Sequence, residues 1–196
     1  MRRRVLTAAL LVLVLAPTLA GCTNEPLAQQ YADGSGQGYI SGDGAYTEIK
    51  PAAREAAVAF SGTDEKGAAI ANTDFAGSVY VVNFWYAGCP PCRSEAPTLQ
   101  SLSAEYSDVP FVGVNIIDTA ENAITFAKKF GITYPSIIDV TTASVQLAFA
   151  GTVAPNAVPT TLVIDRQGRV AARISGLIKD KSILAGMIDT VVAEGK

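Results

Sequence analysis

Val79-Tyr80-Val81-Val82-Asn83-Phe84 runs directly into Trp85-Tyr86-Ala87-Gly88-Cys89-Pro90-Pro91-Cys92, and the rest of the chain is organised around this stretch. Its first part is β-branched and aromatic and is bounded by Gly77-Ser78 and Gly88, which predicts a buried central strand over 79–84. Beyond Cys92, residues Ala96, Leu99, Leu102 and Tyr106 recur at spacings of three and four, the mark of an amphipathic helix. Cys89 is then expected just before that helix and Cys92 in its first turn. Unpaired backbone N–H groups and the positive end of the helix dipole favour a thiolate there, so Cys89 is the candidate nucleophile. Two intervening residues keep Cys92 within disulfide reach, so it can resolve a mixed disulfide formed at Cys89. Pro90 and Pro91 fix φ where a helix begins and where missing N–H groups cost least.

A C-x-x-C pair also occurs in zinc ribbons and in static disulfides. Zinc takes about four ligands, and this chain has three cysteines and no histidine, so no metal site is expected. A purely structural disulfide stays open as a reading, although closing so short a loop removes little entropy from the unfolded chain.

The strand ending Asn83-Phe84-Trp85, followed by Cys89-Pro90-Pro91-Cys92 at a helix start, resembles the thioredoxin-like superfamily. Cys92-Arg93-Ser94-Glu95-Ala96-Pro97 resembles its membrane-tethered branch, the ResA/TlpA-type thiol-disulfide oxidoreductases of bacteria. The likeness runs roughly from residue 53 to the C-terminus. It implies an α/β thioredoxin-like fold with an N-terminal β-hairpin and a helix-strand insertion, the central mixed sheet being flanked by helices. It also implies redox exchange without a soluble cofactor.

The N-terminal segment reads differently. Arg2-Arg3-Arg4 is a basic region and 5–16 an almost unbroken apolar run, short for a membrane span, so 1–21 is expected to be a secretory signal. Leu19-Ala20-Gly21-Cys22 matches the bacterial lipobox, in which Cys22 receives a diacylglyceryl group before cleavage. An ordinary cleaved signal with a stray cysteine, or an uncleaved anchor, is the competing reading. A lipoprotein would sit on the outer face of the cytoplasmic membrane, where a disulfide-capable pair persists. Residues 22–50, with glycines at 34, 36, 38, 42 and 44, are expected to be a flexible tether, and 51–196 a single domain. Tyr39, Ile40, Tyr46 and Ile49 are the tether residues able to dock on it. With 15 basic against 18 acidic residues and no basic run after the signal, no nucleic-acid partner is expected.

Within the domain, 57–60 and 68–70 flank a polar turn and predict the hairpin. Asn83 departs from cytosolic thioredoxins, which carry a buried aspartate there, and an amide cannot titrate. Glu95 lies one turn beyond Cys92 on the same helix face; the resemblance implies a functional glutamate here, shuttling the proton of the second thiol, while a solvated helix residue is the alternative. Pro97 is expected to kink the helix. Trp85 and Tyr86 are expected to cover the disulfide, and Trp85 also to meet substrate.

A strand over 111–117, a helix over 121–130 capped by Gly131, an extended piece over 134–139 and a short helix over 143–150 follow. In the family the loop facing the C-x-x-C carries a cis proline. Pro159 matches it by position, Pro155 being the competing candidate, and the Val158–Pro159 backbone would then bind an extended substrate beside Cys89. Strands over 162–165 and 170–174, the second at an edge, and a helix over 181–193 complete the domain.

These residues predict an extracytoplasmic thiol-disulfide oxidoreductase: Cys89 attacks, Cys92 resolves and Glu95 handles the proton. Its expected partners are exported proteins bearing disulfides or dithiols, apocytochrome c among them by resemblance, and a membrane electron donor of the thiol-disulfide transporter type. The same constellation fits disulfide formation run in the opposite direction. A thiol peroxidase, echoed only by Arg93, and a metallochaperone, which would want a histidine, are the remaining alternatives.

Overall fold

The computed structural model describes residues 45–153 and 157–195. The segment expected to be a signal, Cys22, most of the expected tether and Pro155 lie outside the described residues. In chain order the elements are β1 (Tyr46–Glu48), β2 (Ser61–Thr63), β3 (Ala69–Ala71), β4 (Tyr80–Trp85), α1 (Pro90–Glu105), β5 (Phe111–Asn115) and α2 (Ala120–Phe130). They continue as β6 (Ser136–Ile138), α3 (Ser144–Ala148), β7 (Thr160–Ile164), β8 (Val170–Ser175) and α4 (Lys181–Ala193). Single turns of 3-10 helix lie at Pro51–Ala53 and Asn72–Phe75.

Six strands form one mixed sheet in the order β1-β8-β7-β4-β5-β6. β4 runs parallel to β5 and antiparallel to β7, so it sits inside the sheet with every residue buried. The period-two alternation of a strand divides its side chains. Tyr80, Val82 and Phe84 pack with Phe60, Ile137, Val145 and Phe149 on the face covered by the hairpin and α3. Val81 packs on the other face with Leu99 and Leu102 of α1 and Leu184, Met187 and Ile188 of α4. Asn83 and Trp85 share the face of Val81, which aims a polar and an aromatic side chain at the start of α1. The α/β architecture with a mixed central sheet is the expected one.

Three expectations need correction. The domain does not begin at residue 51: Tyr46–Glu48 pairs antiparallel with β8, in the register Tyr46↔Ile174, and Tyr46 is buried in the core. β8 is therefore an interior strand, not an edge. A three-residue strand is too short to show an alternation in the sequence, and the preceding glycines mask it. The hairpin is also shifted, pairing Ser61↔Ala71 and Thr63↔Ala69, with 57–60 outside it. The cause is Asp64, whose carboxylate accepts the N–H groups of Lys66 and Ala68 and closes the turn around itself. An antiparallel bridge between Asp64 and Ile137 fastens the hairpin to β6.

The two ends of the domain meet at Arg54. Its buried guanidinium donates to Asp165 at 3.0 Å and to Glu194 at 2.6 Å, and Asp165 also receives Arg169 at 2.8 Å. Burial opposes the Asp165 charge, but hydrogen bonds from the backbone and guanidinium of Arg169 and from Arg54 outweigh it and hold the carboxyl below its ordinary value. Removing one partner of such a group leaves buried charge unmatched. Arg54→Met is expected to cost about 3 kcal/mol in urea denaturation; a loss below about 0.5 kcal/mol, typical of an exposed pair, would contradict the clasp.

Candidate active site

β4 delivers the chain to the loop 86–88, and α1 starts immediately after it. Cys89 is the N-cap of α1, in an extended backbone conformation, and its sulfur accepts the Cys92 N–H at 3.1 Å. Pro90 and Pro91 occupy the first helical turn as the sequence implies. The two cysteines are joined as a disulfide, with Cα atoms 5.3 Å apart. Both sulfur residues are nearly covered, Cys89 at 2 % and Cys92 at 3 % exposure. Pro97 lies within α1, where its missing N–H deprives the Arg93 carbonyl of its helical partner.

The loop is held from two sides by residues that sequence reasoning missed. Asp118 accepts the Ala87 N–H at 2.5 Å and is itself held by the Asn115 amide at 2.9 Å. The Asn115 side-chain oxygen in turn accepts the N–H groups of Ile117 and Asp118. Asn-x-x-Asp at the end of a strand is a turn signal that would have located this brace. Arg93 donates to the Ala87 carbonyl at 3.1 Å and lies 5.5 Å over the Phe130 ring.

Trp85 forms the floor of the site. It is 6 % exposed, packs at 4.3 Å on Phe126 and donates its indole N–H to Ser136 at 3.2 Å. It shares one apolar cluster with Cys89, Cys92, Ala96 and Ala123. Tyr86, partly exposed, packs against the same cluster. The β4–β7 register pairs Phe84 with Thr160, which places Pro159 at the end of β4 that leads to the pair. The Val158–Pro159 bond is cis, and the Val158 side chain packs against the cysteine cluster. Among the described residues neither the N–H nor the C=O of Val158 has a hydrogen-bond partner, whereas the Pro159 carbonyl accepts from Gly176 at 2.8 Å.

Glu95 is not a solvated helix residue. It is 1 % exposed. Its Oε1 accepts the Asn83 amide at 3.1 Å and its Oε2 the Ile178 N–H at 3.0 Å. The same Asn83 amide nitrogen also donates to Thr161. Desolvation pushes the Glu95 pKa up to about 7, and the two hydrogen bonds, from Ile178 and Asn83, only partly offset it. Asn83 therefore serves as a donor to the acid that helix α1 supplies, on the same helix as Cys92 and three residues beyond it. Tyr134 lies close enough that burial first, and the Glu95 charge second, push its phenol upward.

Comparison with known proteins follows the same lines. The model of the family described as Redoxin matches residues 51–188. The chain is 34 % identical over 113 residues to the thiol-disulfide oxidoreductase ResA of Geobacillus thermodenitrificans, covering 57 % of this chain and 62 % of that protein. It is 37 % identical over 98 residues to a thiol:disulfide interchange protein DsbE homolog of Paracoccus denitrificans, covering 50 % and 51 %. The chain thus spans between half and two thirds of the length of these curated relatives. A crystal structure of a DsbF homologue from Corynebacterium diphtheriae superposes with a TM-score of 0.68 at 30 % identity, covering 79 % of this chain and 98 % of that one.

The raised pKa of Glu95 has a consequence for stability. Its carboxyl holds a proton more tightly in the folded chain than at its ordinary value of 4.5. That contribution is full below pH about 4.5 and is lost as pH rises through about 7, a decline of about 3 kcal/mol between the two limits. Urea denaturation of Glu95→Gln is expected to lack this decline between pH 5 and 8. A slope equal to that of the unsubstituted protein would contradict the burial argument.

Proposed function

The chain belongs to the Redoxin family and is of the ResA/DsbE thiol-disulfide oxidoreductase type, and from that premise we propose that it reduces disulfides of exported proteins. The observation that carries the reading is a cysteine pair at a helix start with an acid buried in the next turn, where desolvation pushes its pKa up to about 7. In the reduced protein Cys89, stabilised as thiolate by the N-terminus of α1, attacks one sulfur of a substrate disulfide. The substrate S–S bond breaks, a mixed disulfide forms at Cys89 and the departing sulfur takes a proton. Cys92 then gives its proton to Glu95 and attacks the Cys89 sulfur. This closes the Cys89–Cys92 disulfide and releases the substrate as a dithiol, two electrons having passed to it. A carboxyl with pKa about 7 accepts and returns that proton with little cost at neutral pH.

An extended substrate segment would pair with the backbone groups of Val158, which have no partner among the described residues, beside Pro159, as an added strand. Trp85 would meet it only through the edge left uncovered and otherwise backs the reacting sulfurs. Electrostatics at Cys92 support the reducing direction. A strong oxidant stabilises its reduced, thiolate-bearing form, whereas a buried carboxyl group on the Cys92 helix disfavours a second negative charge.

The lipobox ending in Cys22 supports anchoring at the outer face of the cytoplasmic membrane. Among the described residues no helix is long and apolar enough to cross one. Re-reduction would come from a membrane thiol-disulfide transporter, and apocytochrome c awaiting haem would be one substrate, as the resemblance to the ResA/TlpA-type proteins implies.

Cys89→Ser is expected to abolish insulin-disulfide exchange. Cys92→Ser should let attack proceed and accumulate mixed disulfides visible on non-reducing gels. Wild-type exchange by both variants would overturn the mechanism.

A further inference from the structure

A second acid, from outside the helix of the resolving cysteine, lines the same cavity as that cysteine. Beside the disulfide lies a cavity of about 20 Å³, enough for one water. Cys92, Asn83, Trp85, Tyr134, Ser136 and Glu65 are in its wall. Glu65 belongs to the turn of the β2–β3 hairpin, where a glutamate ordinarily points into water. Here its side chain is only 5 % exposed. Oε2 accepts the Ser136 N–H at 2.7 Å, and the Glu65 N–H donates to the Ser136 carbonyl at 3.1 Å. The Ser136 hydroxyl meanwhile accepts the indole N–H of Trp85. Oε1 is held differently: its partner among the described residues is Lys66 at 3.7 Å, a lysine 70 % exposed. One oxygen is thus pinned to the floor of the site, and the other meets only a distant, solvated cation.

The geometry points to Glu65 as a positioning residue for Cys92: its carboxylate, in the wall of the cavity that Cys92 also lines, keeps Cys92 a thiol while Cys89 ionises. Two negative charges facing one small, poorly solvated cavity repel each other, so the thiolate of Cys92 forms only when it is consumed. The inference rests on the exchange proposed above, in which Cys92 acts after Cys89 has formed a mixed disulfide. The charged and titratable groups facing Cys92 are Glu95 on its own helix, Tyr134 and Glu65 in the cavity wall, and Lys66 behind Glu65. Arg93 is engaged by the Ala87 carbonyl and the Phe130 ring. Glu65 and Glu95 act in the same direction, and Lys66 partly offsets Glu65.

The test uses the reduced full chain and an aromatic disulfide, 5,5′-dithiobis(2-nitrobenzoate), in stopped flow. The Cys89 thiolate displaces one aryl thiolate and forms a mixed disulfide. Cys92 gives its proton to Glu95, which passes it to the medium, then attacks Cys89 and displaces the second aryl thiolate, closing the protein disulfide. Glu65→Gln keeps an acceptor for the Ser136 N–H and is expected to move the pH midpoint of the second release down by about one pH unit. Lys66→Gln, at an exposed position that does not threaten the fold, should move it up by about half a pH unit. The first release should keep its profile in both. Unmoved second-release midpoints in both variants would overturn the role of Glu65 while leaving the exchange reading intact. Failure of the unsubstituted protein to release two aryl thiolates would overturn the exchange reading and the inference with it.

Discussion

A carboxyl group that has lost its water is the constraint on which the rest of the site depends. Burying an acid is costly unless donors replace the solvent, and Glu95 is supplied with two, from the Asn83 side chain and the Ile178 backbone. Those donors lie on different parts of the fold, the central strand and the segment that leads from β8 into α4. Glu95 therefore ties helix α1 to the sheet and to the C-terminal helix at one point. An apolar residue in place of Asn83 would pack well in the strand and leave the acid half-satisfied. The polar interruption of an otherwise hydrophobic strand thus has a physical reason, and it lies on the side of the sheet where the cysteines are.

Function and stability pull against each other around this group. The desolvation that lifts Glu95 into the neutral range is what equips it to exchange a proton with Cys92, and it withdraws stability as pH rises. The surroundings compensate with rigid bracing. Asp118 and Arg93 hold the loop before Cys89, Trp85 is locked by Ser136 and Phe126, and the Arg54–Asp165–Glu194 clasp closes the ends of the domain far from the chemistry.

What could be read from the sequence was what is local along the chain. The C-x-x-C at a helix start, the buried strand before it, the αL glycine at 131 and the apolar face of α4 each declare themselves within a dozen residues, and the structure has them where expected. Pro159 was legible only through the family resemblance, as the proline directly before a strand, and its peptide bond is cis. What stayed hidden depends on contacts between distant segments. β1 has three residues and gains its identity from β8; Glu65 looks like a turn residue until Ser136, 71 positions away, donates its N–H to the carboxylate and fixes it beside the floor of the site. Glu95 was visible as a candidate from its spacing to Cys92, but its burial arises from Ile178, 83 positions on.

The central claim is that acids near Cys92 disfavour thiolate at the second sulfur and leave the pair a reductant. The reduction potential of Cys89/Cys92, equilibrated against defined thiol buffers, tests it most directly. The account predicts a value near or below about −250 mV, in the range of thioredoxin. A value near about −120 mV, that of a strong oxidant whose reduced form is stabilised, would contradict it and reverse the direction of electron flow.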